Sequence, residues 1–203
     1  LKLPGYGASS PIVWNERIYL TCYTGYGTGN RGGSPANLMR HLICVDAKTG
    51  KSIWKNSYAS SFVPGYGSAA GPRATPAIDG GRVYTMGGHG VVVCTDFATG
   101  KTVWKTDRSE FPRNYCSPVL WETGGRQQIV IAATMRVVGY DLSTGKEAWT
   151  VRGISRAVCM TPVVSADNYL VVAGWAGGGD LEGRISVQPF EDVAPLRDAN
   201  GNG

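Results

Sequence analysis

Residues 96–104 read Asp-Phe-Ala-Thr-Gly-Lys-Thr-Val-Trp, and the same pattern, D-x-x-T-G-K-x-x-W, recurs at residues 46–54 and 141–149. The copies begin 50 and then 45 residues apart. A repeat of this period is typical of an array of similar units that bury their apolar faces on one another. The positions to which we assign a structural role are Asp46, Thr49, Gly50 and Trp54, then Asp96, Thr99, Gly100 and Trp104, then Asp141, Thr144, Gly145 and Trp149.

A continuous apolar run leads into each aspartate, at residues 42–45, 91–94 and 137–140. Unbroken apolar runs are typical of strands that are covered on both faces. The Thr-Gly pair that follows predicts a tight hairpin, in which glycine takes the left-handed conformation and the aspartate bonds backbone amides of the turn. The tryptophan then lies on an outer strand, where its large apolar ring suits packing on a neighbouring unit.

A second pattern, Ser or Thr followed by Pro and two apolar residues, recurs at residues 10–13, 75–78, 117–120 and 161–164, each before a β-rich stretch. Together the two patterns describe four antiparallel strands in about 40 to 50 residues, the size of a propeller blade. The sequence therefore predicts an all-β partial β-propeller of four-stranded antiparallel blades, three complete and a fourth begun. We place the blades at about 5–57, 70–107, 114–153 and 156–175 onward. The alternative is an open sandwich of the same length.

The three phrases resemble the tryptophan-docking motif of the pyrroloquinoline quinone-like, or quinoprotein-type, β-propeller repeat. The resemblance covers roughly residues 5–175. It implies a ring of more blades than this chain supplies, so we interpret the chain as a fragment of a larger exported bacterial propeller protein. The resemblance is specific for the fold and much less so for function, because one fold hosts many functions.

Composition argues against several classes of protein. The net charge is +5, but no basic run is interleaved with aromatic residues, so we expect no nucleic-acid partner. No apolar run reaches the roughly 18 residues of a transmembrane helix. The five cysteines form no C-x-x-C motif, which argues against a metal or redox centre. Cys44 and Cys94 both lie two residues before a motif aspartate, which predicts small buried core residues rather than a disulfide.

Two further features concern loops. The first unit carries about 15 extra residues before Asp46, and within them Ser34 and Pro35 favour a short helix over residues 34–40. The tripeptide Gly-Tyr-Gly occurs at residues 5–7, 25–27 and 65–67. Its tyrosines are suited to line a binding surface on a propeller face for a protein or small-molecule ligand, and ordinary loop composition is the alternative.

No catalytic residue can be assigned. His41 and His89 show no arrangement with a nucleophile and an acid, so a hydrolase triad has no support. The resemblance raises pyrroloquinoline quinone, which such dehydrogenases stack between a tryptophan and a disulfide of adjacent cysteines, near calcium held by Glu, Asn and Asp. This chain has no adjacent cysteines and no matching acidic set, so the residues present do not support the quinone, and cofactor-binding residues stay unassigned.

The C-terminus carries one local chemical motif. Within residues 176–203, a glycine-rich segment leads to Asp198-Ala-Asn200-Gly-Asn202-Gly203, which fits the first half of an EF-hand calcium loop. Asp198, Asn200 and Asn202 are the candidate metal ligands. The bidentate glutamate of the complete loop is missing, so we expect weak calcium binding, and a polar tail is the alternative. The segment also resembles the EF-hand insertions of large exported bacterial propellers.

These observations favour a non-catalytic β-propeller module that binds or scaffolds partners in an exported, periplasmic bacterial protein. The remaining blades of the parent chain would be among its partners. The alternative is a fragment of a quinone-dependent alcohol or sugar dehydrogenase whose cofactor site lies elsewhere in the parent.

Overall fold

The computed structural model describes residues 2–25, 34–60, 73–87, 90–110, 115–155 and 158–174. Within these ranges the chain forms three four-stranded sheets and one two-stranded sheet, with all strand pairs antiparallel. The prediction of an all-β partial propeller with a fourth blade begun is therefore confirmed.

The first sheet contains β1 (Ile12–Trp14), β2 (Arg17–Thr24), β3 (Met39–Asp46) and β4 (Ser52–Ala59). The second contains β5 (Ala77–Asp79), β6 (Arg82–Met86), β7 (Val92–Asp96) and β8 (Thr102–Thr106). The third contains β9 (Val119–Thr123), β10 (Arg126–Ala133), β11 (Arg136–Asp141) and β12 (Glu147–Arg152). The fourth contains β13 (Val163–Val164) and β14 (Leu170–Val171).

Strand order follows chain order in every sheet, so each sheet is a meander. In a meander the first and third connections lie at one end of the strands, and the second connection and the exit lie at the other. We call the first the turn end, which carries the D-x-x-T-G-K hairpins and the short β1–β2-type turns. We call the other the loop end, which carries the longer connections at residues 25–38, 60–76 and 107–118.

The three complete sheets share one irregularity in the same place. The pairing of the third and fourth strands shifts register between Cys44 and Val45, between Cys94 and Thr95, and between Gly139 and Tyr140. A bulge of this kind bends a strand and re-aims its side chains. It lies immediately before the motif hairpin in each sheet, so the repeat in sequence is also a repeat in backbone geometry.

The core lies in the seams between sheets. Tyr19, Leu42 and Cys44 of the first sheet are buried against Val83 of the second. A larger cluster joins the second and third sheets, and its centre is Ile129 to Ala133 of β10. The apolar runs before the motif aspartates are buried as predicted.

The helix predicted over residues 34–40 is mostly wrong. A single 3-10 turn spans Pro35–Asn37, with the Ala36 amide donating to Ser34 Oγ at 3.2 Å, as a cap requires. Arg40 instead lies in β3, because the backbone from Met39 onward is hydrogen-bonded to β2 and β4. Among the described residues no helix is both long and apolar enough to span a membrane.

Candidate functional site

The motif aspartates hold the hairpins closed. Asp96 Oδ1 accepts from the backbone amides of Ala98 at 3.1 Å and Thr99 at 2.9 Å, and from Thr99 Oγ1 at 2.8 Å. Asp46 makes the same three contacts at 3.1, 2.7 and 2.8 Å. Asp141 makes them too, and Ser143 Oγ adds a fourth at 2.6 Å. One carboxylate oxygen thus satisfies the donors that each turn exposes.

These contacts stabilise the charged carboxylates. The backbone amide and hydroxyl of Thr49 lower the pKa of Asp46, and the hydroxyl and amide of Thr99 lower that of Asp96. The hydroxyl of Ser143, followed by that of Thr144, lowers the pKa of Asp141 to about 2. Carboxylates that are this well hydrogen-bonded are structural groups, poorly suited to proton transfer near neutral pH.

The tryptophan of the first sheet docks on the hairpin of the second. Trp54 Nε1 donates to the carbonyl of Phe97 at 3.1 Å. Its ring lies over Gly100, so a Cβ added there would meet the ring at 2.6 Å. Gly100 has φ of +73°, so glycine is required both for the left-handed backbone and for the close approach. Arg17 Nη1 shares the Phe97 carbonyl at 3.1 Å.

The tryptophan of the second sheet repeats this contact on the third. Trp104 Nε1 donates to the carbonyl of Leu142 at 3.1 Å, and its ring covers Gly145. Thr106 Oγ1 adds a bond of 2.6 Å to the Gly145 carbonyl. The predicted packing of the tryptophan on a neighbouring unit is therefore a specific contact, in which one indole caps one carbonyl and one glycine.

The tryptophan of the third sheet differs. Trp149 donates to Oε1 of Gln128 in its own sheet, and its ring lies against Gly139 where a Cβ would overlap it. The contact to the fourth sheet comes instead from Trp121, whose Nε1 donates to Asn168 Oδ1 at 2.9 Å. The first two sheets have Cys44 and Cys94 at the position of Gly139, so the sequence already marked this copy as different.

The prediction that Cys44 and Cys94 are buried core residues is confirmed. All five cysteines are free, and Cys44 and Cys94 are buried at equivalent positions. Burial raises the pKa of Cys94 to about 11 and that of Cys116 to about 12. Thiols held protonated in this way are poor nucleophiles and poor metal ligands.

One contact between a histidine and a serine, residue types that often act in catalysis, was not predicted from the sequence. His41 Nδ1 lies 2.8 Å from Ser57 Oγ, and Nε2 lies 2.9 Å from Thr24 Oγ1. His41 on β3 lies opposite Ser57 on β4, and this contact depends on the register of the two strands. Both ring nitrogens are bonded to hydroxyls rather than to a carboxylate, and burial lowers the pKa of His41. This is a satisfied cross-strand cluster, since a triad needs an acidic group to orient the imidazole. His89 lies outside the described residues.

The described part of the loop end carries an exposed tyrosine. Tyr6 of the first Gly-Tyr-Gly tripeptide pairs with Tyr23 at the end of β2 and is 61% exposed. The tyrosines of the other two tripeptides lie outside the described residues. A cavity of about 10 Å³ between the first two sheets, lined in part by Arg40, His41 and Tyr58, has room for a single water.

Neither the candidate metal ligands nor a set of quinone-binding residues can be placed in the described part of the chain. Asp198, Asn200 and Asn202 lie outside the described residues, so the calcium prediction stays a prediction. Within the described ranges no three His, Cys, Asp or Glu side chains are grouped to hold a metal ion.

The meander sheets, the closed Asp hairpins and the indoles docked on them define a β-propeller repeat protein of the pyrroloquinoline quinone-like type, as the resemblance implied. The chain belongs to the family described as outer membrane protein assembly factor BamB, whose model matches residues 39–184.

A curated relative, outer membrane protein assembly factor BamB of Burkholderia pseudomallei (strain K96243), is 33% identical over 142 residues, which are 66% of this chain and 32% of the relative. The chain therefore spans about a third of that relative's length. The crystal structure of BamB from Moraxella catarrhalis superposes with a TM-score of 0.50 at 20% identity, covering 78% of this chain and 52% of that one. Quinohemoprotein alcohol dehydrogenase from Comamonas testosteroni gives 0.48 at 19% identity, over 74% of this chain and 21% of the other. The likeness to the Moraxella catarrhalis structure concerns the fold alone.

Proposed function

We propose that this chain is part of a non-catalytic propeller that serves as a binding scaffold in an exported bacterial assembly factor. The observation that carries the proposal is how the repeat uses its polar groups. One oxygen of each motif carboxylate is bonded by its own turn, and two of the three motif indoles donate to carbonyls of the next sheet. The motif residues therefore hold the sheets together rather than perform chemistry.

The loop end is the surface we assign to partners. The turn end carries short hairpins, two of which are covered by a tryptophan of the neighbouring sheet, whereas the loop end carries the long connections and the exposed Tyr6. Loops on a rigid scaffold are the usual place for recognition. The name of the family suggests the class of partner, which is the machinery that assembles outer-membrane proteins.

A complementation assay tests this assignment. The parent protein is produced in a bacterial strain that lacks its own assembly factor, and outer-membrane protein levels are measured. We expect the levels to rise, Tyr6→Ala at the loop end to reduce the rise, and Lys146→Ala on an exposed hairpin to leave it unchanged. Loss with Lys146→Ala but not with Tyr6→Ala would contradict the loop-end assignment.

An oxidation assay separates the scaffold from the dehydrogenase alternative. The parent protein is incubated with pyrroloquinoline quinone, calcium, a dye acceptor and alcohols or sugars. The scaffold proposal expects no turnover above a cofactor-free control. Sustained turnover that requires the quinone would replace it with the dehydrogenase.

The proposal also includes calcium binding at the C-terminal motif and export of the parent protein. Weak, roughly millimolar calcium affinity suits a site outside the cytoplasm. Calorimetric titration of the parent should show binding that Asp198→Ala removes and Asp167→Ala, an exposed carboxylate elsewhere, does not. Cell fractionation tests export, and recovery of the parent only from the cytoplasm would refute it.

A further inference from the structure

Arg108 is a buried cation with an unused hydrogen-bonding edge. It lies two residues beyond the end of β8, in the seam between the second and third sheets, and is 3% exposed. Its Nη1 approaches Met86 Sδ at 3.8 Å. Among the described residues, Nε and Nη2 have no hydrogen-bond partner. Buried guanidinium donors ordinarily have partners, so this edge requires an explanation.

The unused atoms form the fork that binds two oxygens. The Nε–H and one Nη2–H of a guanidinium point the same way in one plane, which matches the two oxygens of a carboxylate. Tyr140 lies beside Arg108: the hydroxyl is buried and makes no hydrogen bond of standard geometry among the described residues, and while burial raises its pKa, the nearby Arg108 guanidinium lowers it. The centre of its ring lies 5.6 Å from Arg108 Cζ, so both groups belong to the same seam.

The charges around Arg108 favour an anion. Arg136 on β11 adds a second positive charge, and the nearby Glu147 is already bonded by Arg136 Nη1 at 3.3 Å. Burial lowers the pKa of Arg108. Tyr140 raises it, and the positive charge of Arg136 lowers it again.

We propose that this seam is a binding site for a carboxylate, held by Nε and Nη2 of Arg108 and by the Tyr140 hydroxyl. A buried charge without a counter-ion is unfavourable, and a bidentate carboxylate supplies both charge and acceptors. The ligand is either a free small carboxylate or an acidic side chain of a partner. The inference goes beyond the proposed scaffold function, because it assigns a ligand to the buried seam between two sheets and not to the exposed surface of the loop end.

Thermal unfolding in acetate tests the proposal. The midpoint of the purified protein is measured near neutral pH in sodium acetate and in sodium chloride of equal ionic strength. A ligand that binds only the folded state raises the midpoint in a saturable way. We expect acetate to do so and chloride not. Equal responses to the two salts would overturn the proposal.

Matched variants locate the effect. Arg108→Lys keeps the charge but loses the fork and should weaken acetate binding at least about tenfold, as loss of a charged hydrogen bond predicts. Arg82→Lys makes the same change at an arginine already paired with Asp96 at 2.6 Å, and acetate binding should be unchanged. Wild-type affinity in Arg108→Lys would overturn the site.

A second variant keeps the test decisive if Arg108→Lys does not fold. Tyr140→Phe retains the ring and removes only the hydroxyl, so acetate binding should weaken several-fold, and unchanged affinity would overturn the proposal.

Comparing acetate with a capped Gly-Glu-Gly peptide identifies the source of the carboxylate. Binding of both indicates an acidic side chain, and binding of acetate alone indicates a small free acid.

Discussion

The hairpins at residues 46–51 and 96–101 are built alike but differ in what covers them. Their aspartates make the same three contacts, and Gly50 and Gly100 have φ of +68° and +73°. Yet Trp54 lies over Gly100, whereas among the described residues no atom lies within 4 Å of the place where a Cβ on Gly50 would be.

The difference shows that the motif does two separable things. The Asp, Thr and Gly residues close a hairpin locally, whether or not anything packs on it. The tryptophan joins one sheet to the next, and needs a hairpin on the neighbour to do so. Local folding and assembly of sheets therefore depend on different residues of the same nine-residue phrase.

The largest effect is expected from removing a docked indole. Trp104→Ala should lower the free energy of unfolding by about 2–4 kcal/mol, because it leaves a cavity over Gly145 and frees the Leu142 carbonyl. Urea unfolding measures the loss. Trp14→Ala, at a tryptophan that is 52% exposed, should cost no more than about 0.5 kcal/mol. Similar losses for both would mean that docking contributes little.

A smaller effect is expected where the third sheet departs from the first two. Gly139→Cys installs the residue found at 44 and 94, and its Cβ should displace Trp149 from Gln128 at a cost of about 1–3 kcal/mol. The indole Nε1–H resonance of Trp149 should shift in an NMR spectrum. The reverse change, Cys94→Gly, should leave the Trp104 resonance in place. An unmoved Trp149 resonance would refute the role given to Gly139.

Acid should weaken the hairpins. The folded pKa of Asp141, about 2, lies below its usual value of 3.8, so its contribution is present above that value and is lost as pH falls toward the folded pKa. Asp141→Asn should therefore make the unfolding midpoint less sensitive to pH between about 5 and 2. The same pH dependence in both proteins would show that this carboxylate is not stabilised by its turn.

The smallest effect is expected from a surface ion pair on the uncovered hairpin. Lys48 Nζ lies 2.7 Å from Glu16 Oε1, and the side chains are 73% and 71% exposed. Lys48→Ala should change the free energy of unfolding by no more than about 0.5 kcal/mol, and the change should shrink as salt is added. A loss above about 1 kcal/mol would mean that this hairpin is held from outside as well as from within.

The repeat predicted most of the architecture. The apolar runs, the Thr-Gly turns and the spaced tryptophans indicated meander sheets because each reports a local requirement of strand or turn. The position of Cys94 and its equivalent Cys44 also predicted burial correctly. Where the third sheet departs from the pattern, Gly139 in place of cysteine marks the difference. The partner of Trp149 does not follow from it, because Gln128 is brought to the indole only through strand pairing.

The rest depended on tertiary contacts. The pairing of His41 with Ser57 follows from a register that includes a bulge, which the sequence does not specify. The burial of Arg108 likewise depends on how two sheets pack. A charged residue just past a strand would ordinarily be solvent-exposed, so its place in the seam could not be anticipated.

The most direct test of separable folding and docking is to compare Gly50→Ala with Gly100→Ala by urea unfolding. Both place alanine in a left-handed conformation, which costs about 1–2 kcal/mol. Only Gly100→Ala puts a Cβ against the ring of Trp54, at 2.6 Å, and we expect it to lose a further 1–3 kcal/mol or so from overpacking. Equal losses at the two glycines would contradict the account, because the covered and uncovered hairpins would then be energetically the same.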